Sequence, residues 1–217
     1  MISATEALDR LQKGNERFLP DPKADKAKRR SAWSGLTRST PKPGEQNSTV
    51  SEQEPFAILL GCSDARVPLE IIFDQGLGDL FVIRVAGNIV GPTQIGSIEF
   101  AATEFGTRLV VVMGHSHCGA IATTLKELKQ PSENRSPNLA SIVDRISPAI
   151  EPLVANTDSI DQETLMEEAV RANVRASVNQ LQAGSTILKD LIQTDGLQIM
   201  GAEYSIETGS VQFLKED

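Results

Sequence analysis

Three short apolar runs, none showing the polar alternation of a half-buried strand, constrain this chain more than anything else in it. Phe56–Leu60 ends at Gly61, Leu109–Met113 ends at Gly114, and Leu80–Val85 is interrupted only by Arg84. Unbroken runs of this length, rich in β-branched residues, are what strands look like when both faces are covered. Between them, Pro68 to Phe73 and Gln94 to Phe105 carry helical signals. Strands alternating with helices imply a parallel sheet with right-handed crossovers. The expected fold is α/β: a central mostly parallel β-sheet flanked by helices, with an N-terminal helical arm.

The rest of the chain fits around that sheet. Ser3 and Glu6 form a capping-box pattern, and Ala4, Leu8, Leu11, Asn15 and Phe18 recur at helical spacing. Pro20 and Pro22 stop this helix near Leu19. From Asp21 to Glu54 the composition turns polar, with a short helical piece expected around Lys26 to Trp33. A loop this long suggests an arm wrapped over a neighbouring surface. After Cys118 the pattern predicts helices over Ala120–Lys129, Leu139–Leu153 and Gln162–Gln182. Leu165, Ala169, Ala172, Val174, Val178 and Leu181 form the buried side of the last. Leu197–Glu203 and Ser210–Leu214, joined through Thr208 and Gly209, read as closing strands. The expected organisation is a helix and extended arm over 1–54 and an α/β unit over 55–217, one domain overall.

Composition excludes several function classes. A formal charge of −8 over 217 residues argues against nucleic-acid binding, which needs a basic footprint. Lys23, Lys26, Lys28, Arg29 and Arg30 read as a solvated stretch rather than a docking site. No apolar run approaches the roughly 18 residues of a membrane span, and no export signal opens the chain. A cytoplasmic protein is expected. The two cysteines could form one disulfide, but without an export signal reduced thiols are the better reading.

Two of the buried runs end alike, one passing through Gly61 into Cys62 and the other through Gly114 into His115. In open parallel sheets the functional crevice lies beyond the carboxyl ends of the strands. Cys62 and His115 should therefore emerge on one edge, within about 5 Å laterally if their strands are neighbours. Cys118, at the expected start of a helix, can turn back toward the same point. Two thiolates and an imidazole suit Zn²⁺. Three protein donors suggest a catalytic rather than a structural site. The fourth position falls to water or to a carboxylate, for which Asp64 is the candidate. His117 sits beside the ligand pair with poor geometry for the same ion. Asp64 and Arg66, two residues apart in a loop, can pair as carboxylate and guanidinium.

Cys62-Ser63-Asp64-Ala65-Arg66 followed by His115-Ser116-His117-Cys118-Gly119 resembles the paired signature of the β-carbonic anhydrases, Cys-x-Asp-x-Arg and His-x-x-Cys. The bacterial branch is also resembled by Gly14–Phe18, Ile71–Phe81, Arg84–Asn88, Gly96–Phe100, Asn173–Arg175 and Gly201–Tyr204. The resemblance implies one Zn²⁺ per chain held by Cys62, His115 and Cys118, with Asp64 and Arg66 as the catalytic dyad. It implies that Asp64 can also take the fourth ligand position in a closed, inactive form. It places Gln53 where bicarbonate is held and Phe81, Ala86 and Phe100 around an apolar CO₂ pocket, with Ala86 and Phe100 replacing a valine and a tyrosine of the plant-type pattern. Ile58, Leu59 and Leu60 stand where some members carry a tryptophan of a bicarbonate effector site.

The reaction so implied is reversible hydration of CO₂ to bicarbonate and a proton by zinc-bound hydroxide. The Gly119 N–H would assist release of bicarbonate. A homodimer or larger homo-oligomer is expected, its pocket built across the interface and the opening helix embracing the partner. The alternatives are a zinc-bound but inactive bicarbonate sensor or assembly subunit, a CS₂ or carbonyl sulfide hydrolase on the same scaffold, and a thiol redox protein.

Overall fold

Among the described residues, five strands make one sheet in which the second strand in chain order stands at one edge, followed by the first, third, fourth and fifth. In this computed structural model, residues 2–19, 53–131, 136–155 and 161–215 are described. The expected arm, its helical piece and the basic stretch lie outside them. The strands are β1 (Ala57–Gly61), β2 (Leu80–Arg84), β3 (Leu109–His115), β4 (Gln198–Tyr204) and β5 (Val211–Phe213). The first four run parallel, and β5 returns antiparallel to β4. The helices are α1 (Ala4–Phe18), α2 (Leu69–Ile72), α3 (Pro92–Glu104), α4 (Gly119–Lys129), α5 (Pro137–Ala155), α6 (Gln162–Gly184) and α7 (Thr186–Thr194). No described helix is long and apolar enough to cross a membrane.

Every residue of β1 and β3 is buried, and their side chains alternate between two cores, as the pleat requires. Ala57, Leu59, Val111 and Met113 point to a core shared with Ala4, Ala7 and Leu11 of α1 and with Leu69 and Ile72 of α2. Ile58, Leu60, Val110 and Val112 point to the other, covered by Ile98 and Ala101 of α3, Val174 and Leu181 of α6 and Leu188 of α7. Burying each such aliphatic side chain contributes about 1.5–3 kcal/mol, so a strand with one exposed face would forfeit half its apolar gain.

Glycines set how near the helices come. A Cβ on Gly114 would lie 2.7 Å from Val174 Cγ2, and one on Gly201 would lie 2.7 Å from Val174 Cγ1. Helix α6 therefore crosses β3 and β4 at a distance only side-chain-free positions allow. The same device seats α1: a Cβ on Gly14 would lie 1.9 Å from the backbone oxygen of Phe73. Beside it, the buried Asn15 amide donates to Ile72 O (3.1 Å) and Gly209 O (3.0 Å) and accepts from the Val211 N–H (2.9 Å). The opening helix thus packs on its own chain's sheet. Gly14→Ala cannot be absorbed without moving backbone. It is expected to lower the unfolding free energy by about 3 kcal/mol, the upper part of the overpacking range, as read by urea denaturation.

The structure differs from expectation in detail. Helix α7, whose Ser185 hydroxyl caps Leu188 N–H, was not anticipated. Strand β3 runs two residues further than its apolar core, so His115 ends the strand instead of following it. Helix α3 begins at Pro92, two residues earlier than read, because proline suits the first helical position.

Candidate metal centre

Strands β1 and β3 are neighbours, with Gly61 opposite Met113. Cys62 leaves the end of β1 just as β3 delivers His115. Cys118 is the N-cap residue of α4. The ligand atoms of Cys62, His115 and Cys118 all lie within 4.8 Å of one another, and all three residues are buried. Around them Ile89, Ile121, Ile146, Ile150, Ala169 and Val170 form a third apolar cluster, a dry surround that strengthens electrostatic binding.

The chemistry of these donors fits a metal ion. The Nδ1 of His115 lies 2.9 Å from the backbone oxygen of Ser116. Since a carbonyl can only accept, Nδ1 carries the proton and Nε2 carries the lone pair. That Nε2 is buried without a hydrogen-bond partner, a costly state for a polar atom and the usual state of a histidine oriented to ligate. Both cysteines are free thiols. The Cys62 thiol is drawn well below the ordinary thiol range, chiefly by the S–H of Cys118, against the opposing effect of burial; the Gly87 N–H adds to it. Cys118 is pushed up because it donates that hydrogen bond and is buried. The two sulfurs thus face each other where a cation could sit.

The Gly87 N–H reaches Cys62 Sγ at 3.4 Å from a backbone with φ +68°, and a Cβ there would strike Ile146 and Ala120. Helix α6 holds this turn: Asn173 Nδ2 donates to Gly87 O (2.8 Å) and the Ser177 hydroxyl to Asn88 O (3.2 Å). Arg84 secures the other side of the loop, donating to Cys62 O (3.0 Å) and Asp64 O (2.6 Å). No role was assigned to Arg84 from sequence, although a cation ending an apolar strand beside a ligand-bearing one is a usable signal.

Asp64 and Arg66 meet as a bidentate pair, Nε to Oδ1 at 2.9 Å and Nη2 to Oδ2 at 2.7 Å, with the Arg66 N–H also on Oδ1 at 2.9 Å. These Arg66 contacts outweigh burial and hold the Asp64 carboxyl well below the usual carboxylate range. Its Oδ2 stands 4.0 Å from His115 Nε2. Asp64 therefore lies beside the donor group and outside it, in the arginine-paired arrangement; becoming a fourth ligand would require it to leave Arg66.

The expected pocket residues divide. Ala86 opens the turn that carries Gly87, and Gly119 follows Cys118 at the start of α4, so both are near the donors. Phe81 pairs with Ile58, four residues before Cys62 and about 13 Å back along the strand. It joins Phe100 and Phe105 in a ring cluster with centroids 5.5–6.2 Å apart, and Phe100 is half exposed. Gln53 lies near Gly78, before β1 begins. Gln53, Phe81 and Phe100 thus stand at the opposite end of the sheet from their own chain's donors.

Fold and donors together define a class: an α/β protein with a buried three-donor group able to hold a metal ion at the carboxyl edge of a parallel sheet. Comparison with known proteins narrows it. The sequence model of the family described as carbonic anhydrase matches residues 57–211. A carbonic anhydrase of Mycolicibacterium smegmatis is 37% identical over 165 residues, 76% of this chain and 77% of that protein. Carbonic anhydrase 2 of Mycobacterium tuberculosis is 32% identical over 201 residues, 92% of this chain and 87% of that one. A structure from a study of two tetrameric β-carbonic anhydrases of Sordaria macrospora aligns with a TM-score of 0.71 at 25% identity, covering 87% of this chain and 94% of that one. The chain belongs to the β-carbonic anhydrase family, enzymes whose general reaction is the hydration of CO₂.

Proposed function

We propose that this enzyme hydrates CO₂ reversibly with one Zn²⁺ per chain, held by Cys62, His115 and Cys118. The observation that carries the reading is the buried, unpaired Nε2 of His115 facing two free thiols. Bound there, Zn²⁺ would supply a Lewis acid able to bring the pKa of water toward neutrality. Asp64, ionised and fixed by Arg66, accepts a hydrogen bond from the attacking water and orients it. Arg84 keeps the loop bearing Asp64 in register with Cys62. The Gly119 N–H, at a helix N-terminus where such groups lack intrahelical partners, is placed to donate to a bicarbonate oxygen. Gln53, Phe81 and Phe100 serve the site of a second copy, because they cannot reach their own. The functional unit is then at least a homodimer.

Stopped-flow CO₂ hydration on metal-analysed protein, from about pH 6.5 to 9 around the near-neutral ionisation expected of zinc-activated water, tests this. Stoichiometric zinc with hydration is the expected outcome. Stoichiometric zinc without hydration would favour a bicarbonate-sensing subunit. The Asp64 pKa is depressed in the folded protein, so its carboxylate protonates only far below this window. Any inflection in the rate profile there should therefore persist unshifted in Arg84→Lys, since Arg84 donates only to the backbone oxygens of Cys62 and Asp64.

A further inference from the structure

We infer that Glu207 is a positioning residue for the catalytic site, anchoring the turn between the ligands His115 and Cys118 and, through it, the Asp64–Arg66 pair; the inference rests on the zinc-enzyme reading above. Glu207 lies in the turn between β4 and β5, far from the ligands in sequence. Its Oε2 accepts from the hydroxyls of Ser116 (2.8 Å) and Ser205 (2.9 Å), and its Oε1 meets His117 Nε2 at 2.5 Å. Ser116 and His117 are the two residues that separate the ligands.

Those two residues have unusual work to do. His117 has φ +54°, a left-handed conformation that histidine tolerates better than most side chains, and it turns the chain sharply between the ligands. The Ser116 hydroxyl accepts from the Ile206 N–H (3.0 Å) while its own N–H donates to Tyr204 O (3.0 Å). The ligand turn is thereby laced to the closing hairpin, with the Glu207 carboxylate at the crossing point. From the His117 carbonyl the connection continues to Arg66 Nη2 (3.4 Å) and so to Asp64.

The alternative is an ordinary surface ion pair. His117 and Glu207 have side chains 63% and 50% exposed, and exposed pairs add little to folding stability. The two roles separate experimentally, because positioning alters catalysis and metal retention while leaving stability nearly unchanged. The zinc-loaded Glu207→Gln variant is expected to show kcat lowered about tenfold, in line with other outer-shell partners of metal sites. Its KM should stay within about twofold, zinc release to excess chelator should quicken several-fold, and the thermal midpoint should barely move. Combined with Ser116→Ala, the losses should not multiply, since both act through one turn. Wild-type kcat and zinc release in Glu207→Gln would overturn the inference alone, as would fully multiplicative losses in the double variant. A wild-type protein that binds no zinc would overturn the inference together with the reading beneath it.

Discussion

Replacing His115 by alanine is expected to remove zinc from the protein and CO₂ hydration with it. His115 is fully buried and supplies the only nitrogen donor of the group. Without it two sulfurs remain, and neither geometry nor donor number then suits a catalytic zinc site. Metal analysis should find less than about a tenth of an equivalent per chain, and kcat/KM should drop by about 10³ or more, since a zinc site's acceleration rests on the metal. The vacated volume lies in an apolar cluster, so some loss of stability will accompany it. Cys118→Ser keeps the volume and should lose most of the metal as well. Stoichiometric zinc and near-normal hydration in His115→Ala would remove the basis of the metal assignment.

Asp64→Ala probes chemistry with the metal in place. Asp64 is outside the donor group, so zinc should be retained. Loss of the group that accepts from and orients water should lower kcat about 10²- to 10⁴-fold, the usual range for a positioned acid–base residue. Arg66 loses its partner but is largely exposed, so folding should be little affected. A wild-type rate in zinc-loaded Asp64→Ala would mean that the pair with Arg66 is structural only.

Much of this centre is legible in the sequence because it is built from local context repeated twice. An apolar run through glycine into a cysteine or histidine tells both that the strand is buried and where it ends. Parallel order then brings Cys62 and His115 together, and the short step to Cys118 needs no long-range information. The converse explains what is not legible. Arg84 acts on the backbone of a neighbouring strand, and Glu207 reaches the ligand turn from a hairpin whose register depends on the whole sheet. Helix α7 follows α6 after a single residue, Ser185, so its apolar pattern merges with that of the helix before it. Gln53, Phe81 and Phe100 match a family pocket by position along the chain, yet position along a chain does not say which copy's site a residue serves.

The Asn15 amide has a consequence for the order in which the molecule can be completed. It is satisfied on one side by Ile72 and on the other by Gly209 and Val211, so α1 stays half-docked until the β4–β5 hairpin has formed. The end of β3 that presents His115 is completed by the same hairpin, because His115 pairs with Tyr204 of β4. Docking of the opening helix and completion of the strand edge that presents His115 are thus one cooperative event, closed by the β4–β5 hairpin.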